Sequence, residues 1–277
     1  MLILSTALLT GCSTADEPPI GSNTDRATAH PTESASPRDP APTSGSASAL
    51  PTPTGSGTGS SPIIGTATAT SAGPSSAVPD EPLDHDSPDS LHVLVNKLHP
   101  LDPSDYAPQD LRGPDVPSSK TGMELRDEAA GAAEDLFVAA ADDGVDLTLV
   151  SAYRSYGYQQ GTYGGWVEQY GQAEADRISA RPGFSEHQTG LAMDVGAADG
   201  ACTLEQCFGD TLEGAWVAEH AAEHGWIIRY PDGGEDVTGY SPEPWHLRYV
   251  GTEAAAGVVQ SGGVLETAWG FDPAPTY

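Results

Sequence analysis

Apolar residues recur at helical spacing through the middle of the chain. Leu125, Ala129, Ala132, Leu136 and Ala140 fall on one stripe. Thr121 and Glu124 have the spacing of a capping box, and Gly144 after Asp142-Asp143 is a stop signal, so a helix is predicted between them. The pattern then changes. "VDLTLVSAYR", 145–154, is rich in β-branched residues and predicts a strand. Helices are predicted around 156–170 and 173–180, although Gly161, Gly164 and Gly165 weaken the first. "LHVLVNKLHPLDPSDYAPQDL", 91–111, opens as a short strand and continues as proline-rich coil. An amphipathic helix is predicted from about Leu212 to His224, ended by Gly225.

The stretch "GFSEHQTGLAMDVG", 183–196, combines this patterning with candidate chemistry. Side chains alternate faces along a strand, so His187 and Asp194 could share a site only across a bend. Thr189-Gly190 supplies one. Beyond it, Leu191, Met193 and Val195 face a core, while Asp194 lies between Ala192 and Gly196 on the other face, with room for a cation. "SPEPWHLRYVG", 241–251, reads as a strand from Trp245, with His246 on the face opposite Trp245 and Leu247. Two histidines and one carboxylate suit zinc and leave a fourth position for water. Glu243, held near His246 by Pro244, is the candidate base.

Composition divides the chain. "LILSTALLTGC" is an apolar run too short to span a bilayer. It resembles the lipobox of bacterial lipoproteins, which makes 1–11 a signal peptide and Cys12 the lipidated residue, although no Lys or Arg precedes the run. Residues 12–88 are rich in Pro, Ser, Thr, Gly and Ala, and bury too little apolar area to offset ordering entropy. They are expected to form a disordered tether of roughly 50 Å r.m.s. span, with His30 and His85 incidental. Residues 89–277 are then one folded domain.

The chain carries 40 acidic and 11 basic residues, a formal charge of −29. Such a surface excludes nucleic-acid binding through phosphate neutralisation and contact with anionic lipid except through the N-terminal lipid. In an exported protein, Cys202 and Cys207 of "GACTLEQCFGD" suggest a local disulfide; a metal-binding pair would call for more Cys or His beside them.

Four segments in order, "LVNKLHPLDPSDYAPQDL", "SAYRSYGYQ", "RPGFSEHQTGLAMDVG" and "HGWIIRYP…TGYSPEPWHLRYVG", resemble the VanY-like D-alanyl-D-alanine carboxypeptidase family of zinc peptidases, family M15B. The likeness covers about residues 91–252. It implies an α+β domain of the DD-peptidase/Hedgehog-like type, a small antiparallel sheet flanked by helices. It implies one zinc ion on His187, Asp194 and His246, with Glu243 as base and Arg154 at the scissile carbonyl. Gln159 and Ser185 match positions that hydrogen-bond substrate; Trp245 is expected to line the site, and Tyr230 also matches a family position. The reaction implied is hydrolysis of the terminal D-alanine from peptidoglycan stem peptides, by a monomer tethered outside the cytoplasmic membrane. LD-carboxypeptidase or endopeptidase action on the same peptides remains open.

Two rivals have their own sequence support. "HAAEH", 220–224, is the inverted zinc-protease signature, with His220 and His224 one helical turn apart. A non-catalytic, zinc-containing wall-binding module is the other; Glu243 argues against it, because such a module needs no base there.

Overall fold

A computed structural model describes residues 82–277. The signal segment, Cys12, His30 and the tether up to residue 81 lie outside the described residues.

The chain first makes a two-stranded ribbon, β1 (Leu111–Arg112) against β2 (Leu125–Arg126). It continues through α1 (Asp127–Asp142), β3 (Leu147–Ser151), α2 (Tyr156–Tyr170), α3 (Gln172–Ile178), β4 (Ala192–Ala197), α4 (Leu212–His220) and β5 (Trp226–Tyr230). The last elements are α5 (Glu235–Thr238), β6 (Glu243–Tyr249), α6 (Thr252–Gln260) and α7 (Leu265–Trp269). Strands β3, β4, β6 and β5 pair in that order into one antiparallel sheet. This is the α+β architecture expected. No helix among the described residues is long and apolar enough to cross a membrane.

Strand alternation divides the sheet. Leu149, Met193, Val195 and Leu247 enter the main core with Ala129, Ala133, Leu136 and Phe137 of α1 and Val217 of α4. Each large side chain buried there contributes roughly 1.5–3 kcal/mol. Ile227, Val250, Val258 and Leu265 form a second cluster beneath α6 and α7. The face opposite Met193 and Leu247 is left for Asp194 and His246.

Four local expectations are corrected. Thr121 and Glu124 do not cap α1: β2 takes up Leu125 and Arg126, and the helix starts at Asp127 behind Arg126, which makes no side-chain cap. Asp127 and Glu128 in the first turn still complement the helix dipole. Second, residues 91–95 are not a strand. Val93, Leu94 and Val95 are buried, but Arg248 Nη2 takes the Leu91 and Val93 carbonyls, at 3.0 and 2.8 Å. Third, β3 ends at Ser151 and not at Arg154, after a bulge between Leu149 and Ser151. Fourth, His85 is not incidental. Its Nδ1 lies 2.8 Å from His92 O and its ring centroid 4.3 Å from that of Trp269, a partner remote in sequence that composition did not reveal.

α2 spans its predicted range despite its glycines. Ser155 caps it by accepting from Tyr158 N at 3.2 Å. α4 stops at His220 and the chain tightens into a 3-10 turn over Ala221–His224, closed by Gly225 at φ +80°. The expected continuous helix to His224 is therefore broken. Glycine is required at 225: a Cβ there would meet Tyr249 Cε2 at 2.8 Å.

Candidate metal centre

Sheet register brings two candidate ligands together. Asp194 on β4 pairs directly with His246 on β6, and His246 Nδ1 is 3.3 Å from Asp194 Oδ1. The third arrives through the predicted bend. Glu186–Thr189 form a 3-10 turn closed by Gly190 at φ +68°, and this places His187 Nε2 3.4 Å from Asp194 Oδ2. The two imidazole centroids are 4.8 Å apart and nearly perpendicular. One donor atom from each of the three residues lies within 4.8 Å of the others, the one such His/Cys/Asp/Glu group among the described residues.

The donor set fits a cation. His187 Nδ1 lies 2.8 Å from the Ala152 carbonyl, which can only accept, so this nitrogen carries the proton and Nε2 keeps its lone pair. His187 Nε2 and Asp194 Oδ1 are buried with no hydrogen-bond partner. Burial, and then the Arg154 guanidinium, push His187 down to about 4, leaving a neutral imidazole. Burial alone would raise Asp194, but His187 and His246 outweigh it and hold the acid well below its ordinary value. Burial also disfavours charge on His246, yet Asp194 and Glu186 push it up to about 9. The pocket thus draws positive charge to the space between these side chains, which is what a divalent ion would supply.

Glu243 opens β6 with an oxygen 3.4 Å from His246 Nδ1. Burial pushes its carboxyl up to about 7, against the pull of His246. All four residues border a cavity of about 880 Å³. Arg154 lines it too, with Nε buried and unpartnered, and its backbone N–H donates to His187 O at 3.1 Å, which couples the Arg154 segment to the ligand turn. Ser185, Trp245 and Tyr230 also border the cavity, and the Tyr230 ring lies 5.0 Å from that of His246.

Gln159 is placed differently from expectation. It is fully buried and does not border the cavity; its Nε2 donates to Ala180 O at 2.7 Å and Ser179 Oγ at 3.3 Å. Its visible work is to hold two residues that do form the cavity wall. Cys202 and Cys207 are bonded, with Cα atoms 5.5 Å apart, and the loop they close contributes Leu204, Glu205 and Gln206 to the wall.

The inverted signature makes no such centre. His220 faces Glu219 and Glu223 at 4.0 and 3.6 Å, and the break after it removes the shared helical face the motif needs.

Sequence reasoning missed Glu186, although it adjoins His187. It is buried between Arg229 and Arg248, and the signal was an arginine alternating with apolar residues in both "WIIRY" and "HLRYV". Lys120, Tyr158 and Trp166, which line the outer cavity, were missed as well.

Residues 122–252 match the family described as VanY, D-alanyl-D-alanine carboxypeptidase. A solved VanY D,D-pentapeptidase from a VanB-type resistance cassette, in complex with Zn(II), superposes with TM-score 0.55 at 32% identity, covering 65% of this chain and 98% of that one. The chain belongs to the VanY family. The LdcB LD-carboxypeptidase structure superposes on this VanY-family domain with TM-score 0.63 at 42% identity, covering 66% of this chain and 87% of that one. A putative carboxypeptidase of Bacillus subtilis (strain 168), YodJ, is 44% identical over 173 residues, 61% of this chain. The match spans 63% of the YodJ length.

Proposed function

We propose that this protein is a zinc-dependent carboxypeptidase that removes the C-terminal D-alanine from peptidoglycan stem peptides. The observation that carries the reading is the convergence of His187, Asp194 and His246 on one cavity, with Glu243 beside them.

His187 would bind through Nε2, His246 through Nδ1 and Asp194 through a carboxylate oxygen. Bound there, zinc would lower the pKa of water and polarise the scissile carbonyl. Glu243 would take the proton of the attacking water onto a carboxylate oxygen and pass it to the leaving amine. A carboxyl raised toward neutrality is matched to both transfers. Arg154 would direct its guanidinium at the oxygen that gains negative charge. Its buried, unpartnered Nε supports that role. Ser185 and Trp245 would shape the peptide-binding wall, and Gln159 would act by holding Ser179 and Ala180.

The same site supports a second reading, LD-carboxypeptidase action on tetrapeptide stems, favoured by the likeness to LdcB. The proposal extends to an exported protein tethered through Cys12, monomeric, and acting outside the membrane; a Cys202–Cys207 bond suits an oxidising compartment. Mass spectrometry of defined penta- and tetrapeptide stems, with and without chelator, tests both readings. Chelator-sensitive loss of D-alanine from the pentapeptide supports the first; loss from the tetrapeptide alone supports the second. Release from neither overturns the carboxypeptidase reading.

A further inference from the structure

Behind the candidate ligands lies a buried cluster of charge that this chemistry does not use. Glu186 Oε1 accepts from Arg229 Nε at 2.8 Å and from Arg248 Nη1 at 3.0 Å. Arg229 turns its other two nitrogens to Glu266, at 3.0 and 2.6 Å, and Asn96 Nδ2 donates to Glu266 at 3.1 Å. Arg248 is anchored in turn on the Leu91 and Val93 carbonyls. The side chains of Glu186, Arg229, Arg248 and Glu266 are wholly buried. The Glu186 carboxylate is therefore clamped by two arginines that cannot themselves move freely.

One atom of the cluster is left over. Glu186 Oε2 is buried without a hydrogen-bond partner, and it faces His246 Nε2, also buried and unpartnered, across 3.7 Å. As a metal ligand His246 is a neutral imidazole, with one N–H to place. On Nε2, the proton points at Glu186, and Nδ1 keeps its lone pair toward Asp194 and Glu243. On Nδ1, two acceptors confront each other in the interior, and the nitrogen nearest Asp194 cannot ligate.

We propose that Glu186 is a positioning residue: its clamped carboxylate holds His246 as the Nε2–H tautomer and so presents Nδ1 to the zinc. It acts through His246, much as the Ala152 carbonyl sets the tautomer of His187. The inference rests on the zinc reading above. A glutamine at 186 cannot replace the carboxylate. With its amide nitrogen toward His246, it opposes the Nε2 proton with another donor; turned over, it opposes the two arginines.

Glu186→Gln and Glu266→Gln form a matched pair. Each removes one negative charge from the same cluster, and only Glu186 faces His246. Zinc affinity of the full chain is measured by competition with a chromophoric chelator, alongside the melting temperatures of the metal-free forms. Glu186→Gln should weaken zinc binding by about 10- to 100-fold, the range for loss of such an outer partner. Glu266→Gln should lower the melting temperature comparably and leave zinc affinity nearly unchanged. Equal zinc affinity in Glu186→Gln and wild type, or equal weakening in both variants, overturns the proposal. Wild type that binds no zinc overturns the metal reading itself. Should Glu186→Gln fail to fold, 15N NMR of the wild-type zinc form decides: a proton on His246 Nε2 is expected, and a proton on Nδ1 overturns the proposal.

Discussion

Asp194 and His246 are directly cross-strand neighbours on β4 and β6, with Asp194 Oδ1 3.3 Å from His246 Nδ1. Their adjacency is fixed by ladder register, which a one-residue slip would destroy by turning either side chain into the core. Only His187 depends on a turn, and that turn is pinned to β3's exit through Ala152 and Arg154.

His187→Ala should abolish stoichiometric zinc and turnover, whereas His220→Ala should change neither. Metal content after gel filtration, with turnover on a defined pentapeptide, checks both. Retained zinc in His187→Ala with loss in His220→Ala would restore the inverted-protease reading.

Glu243→Ala should keep its zinc and lose turnover by about 10²- to 10⁴-fold, the usual share of a general base. Full activity in this variant would remove Glu243 from the mechanism. Zinc with no turnover in wild type as well would favour a binding module.

The pH dependence follows from the same carboxylate. Burial raises Glu243 to about 7 in the metal-free site, against the pull of His246. A base works only when ionised, so kcat/KM should fall as pH drops through its value. A neighbouring cation favours the ionised form, so that limb should lie below pH 7 in the zinc form. A kcat/KM profile on a pentapeptide measures it; no acid limb would contradict the assignment.

The bend at Gly190 was legible because Thr189-Gly190 is a turn signal between two candidate ligands, and the alternation after it correctly separated Met193 from Asp194. The ends of elements were not. Thr121 and Glu124 satisfy a local capping pattern, but β1, a pairing partner more than ten residues upstream, claims Leu125 and Arg126. Likewise Val93–Val95 have strand composition, while the Val93 carbonyl accepts from an arginine 155 residues away. Glu186 was missed for the same reason: its one signal lies far along the chain, in "WIIRY" and "HLRYV". Its neighbours Arg229 and Arg248 meet it only after the sheet forms, and nothing local marks a glutamate as buried. Gln159 reads as a substrate contact because it lies in a matched motif; in the fold its amide nitrogen holds the Ser179–Ala180 wall, while its buried Oε1 has no hydrogen-bond partner.

Gly190→Ala tests the bend energetically. A residue with a side chain pays about 1–2 kcal/mol for the left-handed conformation, and the added Cβ would sit 2.9 Å from Leu111 Cδ2. Chemical denaturation should show at least that loss, with weakened zinc binding because His187 lies within the turn that Gly190 closes. An unchanged midpoint would show that the turn tolerates a side chain.

Arg229→Ala should cost about 3–5 kcal/mol, since it leaves Glu266 in the interior without a counter-ion and Glu186 with Arg248 alone. Urea unfolding of the metal-free protein reads this directly. A loss under about 1 kcal/mol would mean the cluster is solvated in solution.

The most direct test is a crystal structure of the zinc-soaked protein with anomalous scattering recorded at the zinc edge. One peak is expected, about 2.0–2.2 Å from His187 Nε2, His246 Nδ1 and an Asp194 oxygen. A peak at His220 and His224, or none within reach of His187, would contradict the account.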